Sequence, residues 1–63
     1  MTVEMLVKQE FVNDDTELIL RGAEHKILAR GNCLTDLVRS YYEKEISGFL
    51  WADNNRILAD LVM

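Results

Sequence analysis

The sequence predicts an α+β domain: a four-stranded antiparallel sheet with two helices on one face, in the order α-β-β-α-β-β. Two observations carry the elements. Apolar residues recur at helical spacing in two segments, and each segment is followed by a pair of apolar runs split by a polar turn. A third carries the organisation, because the two halves resemble one another as a tandem αββ duplication would.

The first helix is expected from Val3, Leu6, Val7 and Phe11, which fall on one stripe. Thr2 is its candidate N-cap, and Glu4 lies in the first turn, where the helix dipole favours an acid. Met5-Leu6-Val7 is also compatible with the start of a strand. Asn13-Asp14-Asp15 then breaks the pattern. Strands are expected over Thr16 to Arg21 and Lys26 to Arg30, around the turn Gly22-Ala23-Glu24-His25. The second helix rests on Leu34, Leu37, Val38, Tyr41 and Tyr42, with Asn32 as N-cap, Gly31 before it and Asp36 in the first turn. The last two strands, Ile46 to Ala52 and Arg56 to Val62, flank Asp53-Asn54-Asn55, residues that tolerate the backbone of a tight hairpin.

The internal resemblance pairs Leu6-Val7-Lys8 with Leu37-Val38-Arg39, and Phe11 with Tyr42, at an offset of 31 residues. Lys26-Ile27-Leu28-Ala29 pairs with Arg56-Ile57-Leu58-Ala59 at an offset of 30. One deletion between helix and strand reconciles them, giving pseudo-repeats of about 2–31 and 33–63 within a single domain of residues 1–63. Short hairpins pair neighbouring strands antiparallel, which is why an antiparallel sheet is expected.

Length and composition restrict the function. A 63-residue chain buries only about 60% of its unfolded surface, so such chains commonly lean on disulfides, metals or partners. Cys33 is the only cysteine, which excludes an internal disulfide and points to a reducing compartment. His25 is the only histidine, which excludes the common Cys/His zinc sites. A partner is the remaining supplement. Neither a signal peptide nor a run of roughly 18 apolar residues is expected from the sequence, so a cytoplasmic location and no membrane partner are. The net charge of −4 disfavours nucleic acid, which is bound through Lys and Arg on phosphates.

Strand alternation sorts the side chains onto two faces. One collects Leu18, Leu20, Ile27, Ala29, Ile46, Leu50, Ile57, Ala59 and Leu61 without a charge, and is the face the helices should cover. Gly48 falls on it, where it would let a helix approach closely. The opposite face collects charged residues, among them Glu17, Arg21, Arg30, Arg56 and Asp60. It also collects an apolar group, Ile19, Leu28, Phe49, Trp51 and Leu58. Trp beside Arg is the composition of an interface hot spot, and a chain this small has little spare length to cover a second face. The stems of Arg21, Arg30 and Arg56, laid across these side chains, are the alternative cover.

Chemistry-bearing motifs are absent. Asp14, Asp15 and Glu17 lack the alternation and glycine of a calcium loop. Cys33 and His25 flank one strand at opposite ends, too far apart for a thiolate pair. A helix start can lower the pKa of a thiol such as Cys33, but the expected role of Cys33 is that of a small residue at the first helical position. The glycines are scattered, so no phosphate loop exists. No cofactor, no metal and no catalytic residue is expected, and the chain is read as a non-enzyme.

The opening Thr2-Val3-Glu4-Met5-Leu6 with Asp15-Thr16-Glu17-Leu18-Ile19, and the stretch Glu45 to Leu61 with Phe49, Trp51 and Asp53-Asn54-Asn55, resemble small uncharacterised proteins of bacteriophages and mobile elements of Gram-positive bacteria. That resemblance implies no activity or site residue, though such proteins sometimes bind and block a host protein, including defence systems. The expected function is a protein-interaction module forming a homodimer through Ile19, Leu28, Phe49, Trp51 and Leu58. The alternatives are a phage-encoded inhibitor of a host protein and a binder of single-stranded nucleic acid stacking bases on Trp51.

Overall fold

The computed structural model describes residues 1–62. Along the chain run α1 (Val3–Val7), β1 (Glu17–Arg21), a 3₁₀ turn (Ala23–His25), β2 (Ile27–Gly31), α2 (Asp36–Arg39), β3 (Ile46–Asp53) and β4 (Arg56–Leu61). The fold is α+β, and a 3₁₀ turn stands between β1 and β2 where the expected order has none.

Both helices are shorter than the apolar stripes suggest. At α1, Thr2 caps as expected, its Oγ1 accepting from the Met5 amide at 3.2 Å. The amides of Val3 and Glu4 donate to the carbonyls of Lys44 (3.0 Å) and Tyr42 (3.1 Å), so the helix start is tied to the chain entering β3. After Val7 the chain leaves the helix by turns at Gln9 and Val12, and Phe11 falls outside it. The segment is helical from Val3, with a bridge from Thr2 to Glu45 just before it.

At α2 the N-cap position is Thr35, not Asn32. The Asn32 side chain instead accepts from the Leu34 amide at 2.8 Å, making a turn of its own. The Asn32 amide donates to Thr35 Oγ1 at 3.1 Å, and Thr35 Oγ1 returns a bond to Asn32 Oδ1 at 3.3 Å. The same unit is built at Asn13-Asp14-Asp15-Thr16, with distances of 2.9, 3.1 and 3.3 Å. Beyond Arg39, Tyr41 and Tyr42 continue in three-residue turns, and the Tyr42 hydroxyl donates to the Cys33 carbonyl at 2.7 Å.

The four strands form one sheet in the order β2-β1-β4-β3. Each hairpin is antiparallel, but the central pair β1–β4 is parallel, so the sheet is mixed and not the antiparallel sheet expected. Turn chemistry governs pairing only inside a hairpin. The join between hairpins is set by tertiary contacts: the Glu17 amide donates to the Asn55 carbonyl (2.8 Å), and Asn55 Nδ2 donates to the Asp15 carbonyl (2.7 Å). These bonds bring the starts of β1 and β4 to the same end, Glu17 beside Arg56. The matched segments of the two sequence halves therefore occupy unlike places, Ile27-Leu28 on the outermost strand β2 and Ile57-Leu58 on the interior strand β4.

One core cluster holds the layers together. Val3 and Leu6 of α1, Val12 and Val38 pack with Leu18, Leu20, Ala29, Ile46, Ile57, Ala59 and Leu61 of the sheet. Burying one such Leu or Val side chain contributes about 1.5–3 kcal/mol, so this face supplies most of the drive to fold.

Three irregularities in pairing, two in β3 and one between β1 and β2, decide where the remaining side chains go. Along β3, Ile46 pairs with Leu61 but Gly48 pairs with Asp60, two residues against one. This bulge shifts the alternation by one, so Phe49, Leu50 and Trp51 change face, until a further shift between Trp51 and Asp53 returns Asp53 to the outer face beside Arg56. Phe49 is then opposite Ala59 and Trp51 opposite Ile57, on the helix-covered face. Leu50, expected in the core, is opposite Leu58 on the other face. A Cβ built on Gly48 would meet nothing within 4 Å, so this glycine makes no room for a helix. The third shift lies in the other hairpin, between Leu20 and Arg21, where Arg21 pairs with Ile27. There Ile27, expected in the core, is exposed, and Leu28 packs against the core cluster and crowds Gly22.

Candidate interaction surface

The five residues grouped by strand alternation, Ile19, Leu28, Phe49, Trp51 and Leu58, do not form one patch. Ile19 and Leu58 are cross-strand neighbours on the outer face. Ile19 is only 7% exposed, between Leu58 on one side and Arg30 on the other. An arginine stem can cover an aliphatic neighbour in this way, and Arg30 is the one placed directly across from Ile19.

Ion pairs dominate that outer face. Arg21 and Asp60 make a two-pronged pair, Nε to Oδ1 at 2.7 Å and Nη2 to Oδ2 at 3.1 Å. Glu17 Oε1 lies 3.2 Å from both Arg30 Nη2 and Arg56 Nε. Neither guanidinium is aligned for a hydrogen bond to that enclosed oxygen, so the attraction there is chiefly between charges. His25 Nδ1 lies 3.8 Å from Asp60 Oδ1. The arginines expected to rim Trp51 are committed here, on the face Trp51 has left.

Phe49 and Trp51 meet a residue the alternation did not place with them. Phe11 stacks on Phe49 with ring centroids 5.9 Å apart and planes 16° from parallel. It also meets Trp51 edge-on, at 6.0 Å and 63°. The three rings keep 45%, 38% and 40% of their surface exposed, in the order Phe11, Phe49, Trp51. They make an aromatic ledge where the helix layer meets the last strand of the sheet.

That last strand is the second half of the surface. Strand β3 has β4 on one side and no strand on the other. From Ile46 to Ala52 it carries no charge, and Leu50 on its outer face is 54% exposed. The opposite edge strand, β2, is bordered by Lys26, ends in Arg30-Gly31 and packs beside α2. Natural sheets blunt edges with charge, proline or a covering element; β2 has two of these along its length. Strand β3 has them only at its ends, where the Ile46 amide donates to the Met1 carbonyl at 2.8 Å and where Asp53 closes the strand, and Ser47 to Ala52 has none. Gly48 inside an apolar run was the one sequence signal of the bulge. Nothing in a single sequence marked Phe11 as a partner of Phe49.

The residues considered for chemistry are separated. Cys33 Sγ donates to Asp14 Oδ1 at 3.5 Å, joining the two Asn-x-x-Thr turns, while His25 stands by Asp60. Partial burial pushes the Cys33 thiol pKa up, and the Asp14 hydrogen bond and charge push it further the same way. This is opposite to the lowering that a helix start can cause, because Cys33 lies before α2 and faces a carboxylate. Burial also raises the Tyr42 pKa. Among the described residues no three His, Cys, Asp or Glu side chains gather as a metal site, and no pocket is formed. Among the described residues no helix is long and apolar enough to cross a membrane. No protein family, curated protein or solved structure matches this chain.

Proposed function

We propose that the chain is a non-catalytic protein-interaction module that self-associates, with strand β3 and the ring ledge of Phe11, Phe49 and Trp51 as its working surface. The observation behind this reading is an edge strand whose middle, Ser47 to Ala52, has no charge and no strand beside its free edge, and which carries three consecutive exposed apolar side chains, Phe49, Leu50 and Trp51. An unpaired edge offers a row of backbone donors and acceptors to another strand, and flanking aromatics supply the buried area that backbone bonds alone lack. The small core gives such association a second role, as added stability.

Sedimentation equilibrium from micromolar to millimolar protein tests the reading. The expected result is a reversible dimer, which Trp51→Ala weakens by about 2 kcal/mol or more, near 30-fold in Kd. A monomer throughout the range refutes it. A monomer that still captures one defined host protein through β3 supports instead the reading as a phage-encoded inhibitor. The single-strand binder has less support, since Arg21, Arg30 and Arg56 lie on the face opposite Trp51.

A further inference from the structure

We propose that two copies join edge to edge through β3, antiparallel about a twofold axis at Leu50, so that the sheet runs unbroken from one copy into the other. This rests on the self-association proposed above and specifies its partner and register. The free strand reads Ser47-Gly48-Phe49-Leu50-Trp51-Ala52-Asp53. Outward from Leu50 in both directions the residues are aromatic, then small, then polar. The strand is a palindrome of residue classes.

A twofold dimer needs a patch complementary to itself. Antiparallel pairing about Leu50 places Phe49 opposite the second copy's Trp51, Gly48 opposite Ala52 and Ser47 opposite Asp53. Phe49 and Trp51 lie on the helix-covered face, so the two ring ledges merge there, while the two Leu50 side chains meet on the outer face. Directly opposed aromatics and aliphatics are the favourable cross-strand pairs.

Neighbouring registers fail on charge and polarity. An axis at Phe49 sets Asp53 opposite Glu45, two carboxylates on chains that each carry −4. An axis at Trp51 sets Phe49 opposite Asp53. An axis between residues would put an inner side chain opposite an outer one, which antiparallel pairing does not allow. The axis at Leu50 opposes no like charges.

Disulfide trapping reads the register. In a Cys33→Ser background, Leu50→Cys should be captured as a covalent dimer by mild oxidation, since opposed residues have Cα atoms about 4.5–5.5 Å apart, within disulfide reach. Ser47→Cys alone should not cross-link, because its own copy is about 20 Å away along the strand. Mixed with Asp53→Cys, it should. The mixed pair also reads the register if Leu50→Cys weakens the dimer. A dimer by sedimentation in which Ser47→Cys cross-links alone, or in which neither Leu50→Cys nor the mixed pair does, overturns this geometry and leaves self-association standing. A monomer at every concentration overturns both.

Discussion

Phe11 and Phe49 lie stacked at 5.9 Å, one from the connection after α1 and the other from the edge strand β3. The contact ties the sheet's last strand to the helix layer across a bulge. Aromatic pairs of this kind contribute about 0.5–1.5 kcal/mol beyond the area they bury. A double-mutant cycle of Phe11→Ala and Phe49→Ala, followed by urea denaturation, should give a coupling energy of that size. Additive single effects would show that the rings are merely adjacent.

Thr16 is buried, and its hydroxyl accepts from the Asn13 amide while donating to the Asn13 side chain. Thr16→Val keeps the volume and removes both bonds, which should cost about 1–3 kcal/mol because the amide is left without an acceptor in a partly enclosed turn. Thr35→Val, at the equivalent but more exposed position, should cost less, since water can replace the hydroxyl at Asn32. Equal losses at the two sites in thermal denaturation would contradict this ranking.

Gly31 and Gly48 should answer oppositely to alanine. Gly31 has φ +155°, and a Cβ there would lie 2.7 Å from Thr35 Cβ, so Gly31→Ala should destabilise by about 1–3 kcal/mol. Gly48 has open space around it, so Gly48→Ala should be neutral or stabilise by about 0.4–1 kcal/mol through the unfolded state. Denaturant midpoints of the two variants decide the matter, and a large loss at Gly48 would mean that the bulge itself requires glycine.

Cys33 should react slowly with iodoacetamide near neutral pH. The thiolate is the nucleophile, and burial together with the Asp14 carboxylate disfavours it, so the pH–rate midpoint should lie above that of an ordinary thiol. Asp14→Asn removes a negative charge, so the midpoint should move down and the neutral-pH rate should rise. A midpoint below the ordinary thiol value in the unsubstituted chain would contradict the assignment.

The strands were legible because each is an apolar run bounded by turn residues, and Asp53-Asn54-Asn55 is a turn whatever surrounds it; the Asn55 amide donates to Asp53 Oδ1 at 2.8 Å. The helix that begins after Thr2 was legible from its cap. The extent of both helices was not. Asn32 and Thr35 have the composition of a helix start, and their side chains closed a separate turn that delays α2 to Asp36. The surface was legible in part: of the five residues that alternation groups together, Phe49 and Trp51 lie on the helix-covered face against Phe11, while Ile19 and Leu58 lie on the outer face with Leu50, because alternation cannot register a bulge.

By itself the sequence determined the elements and the apolar content that drives them together, since caps, turns and alternation are local chemistry. Leu18, Leu20, Ile57 and Ala59 reach the core by alternation alone. Only the tertiary structure decided that β1 and β4 run parallel, because that pairing depends on bonds between residues far apart in the chain, Asp15 and Glu17 with Asn55. It also decided which face Phe49 and Trp51 occupy. Side chains alternate with a period of two, so the one extra residue before Gly48 moved both rings from the outer face to the helix side.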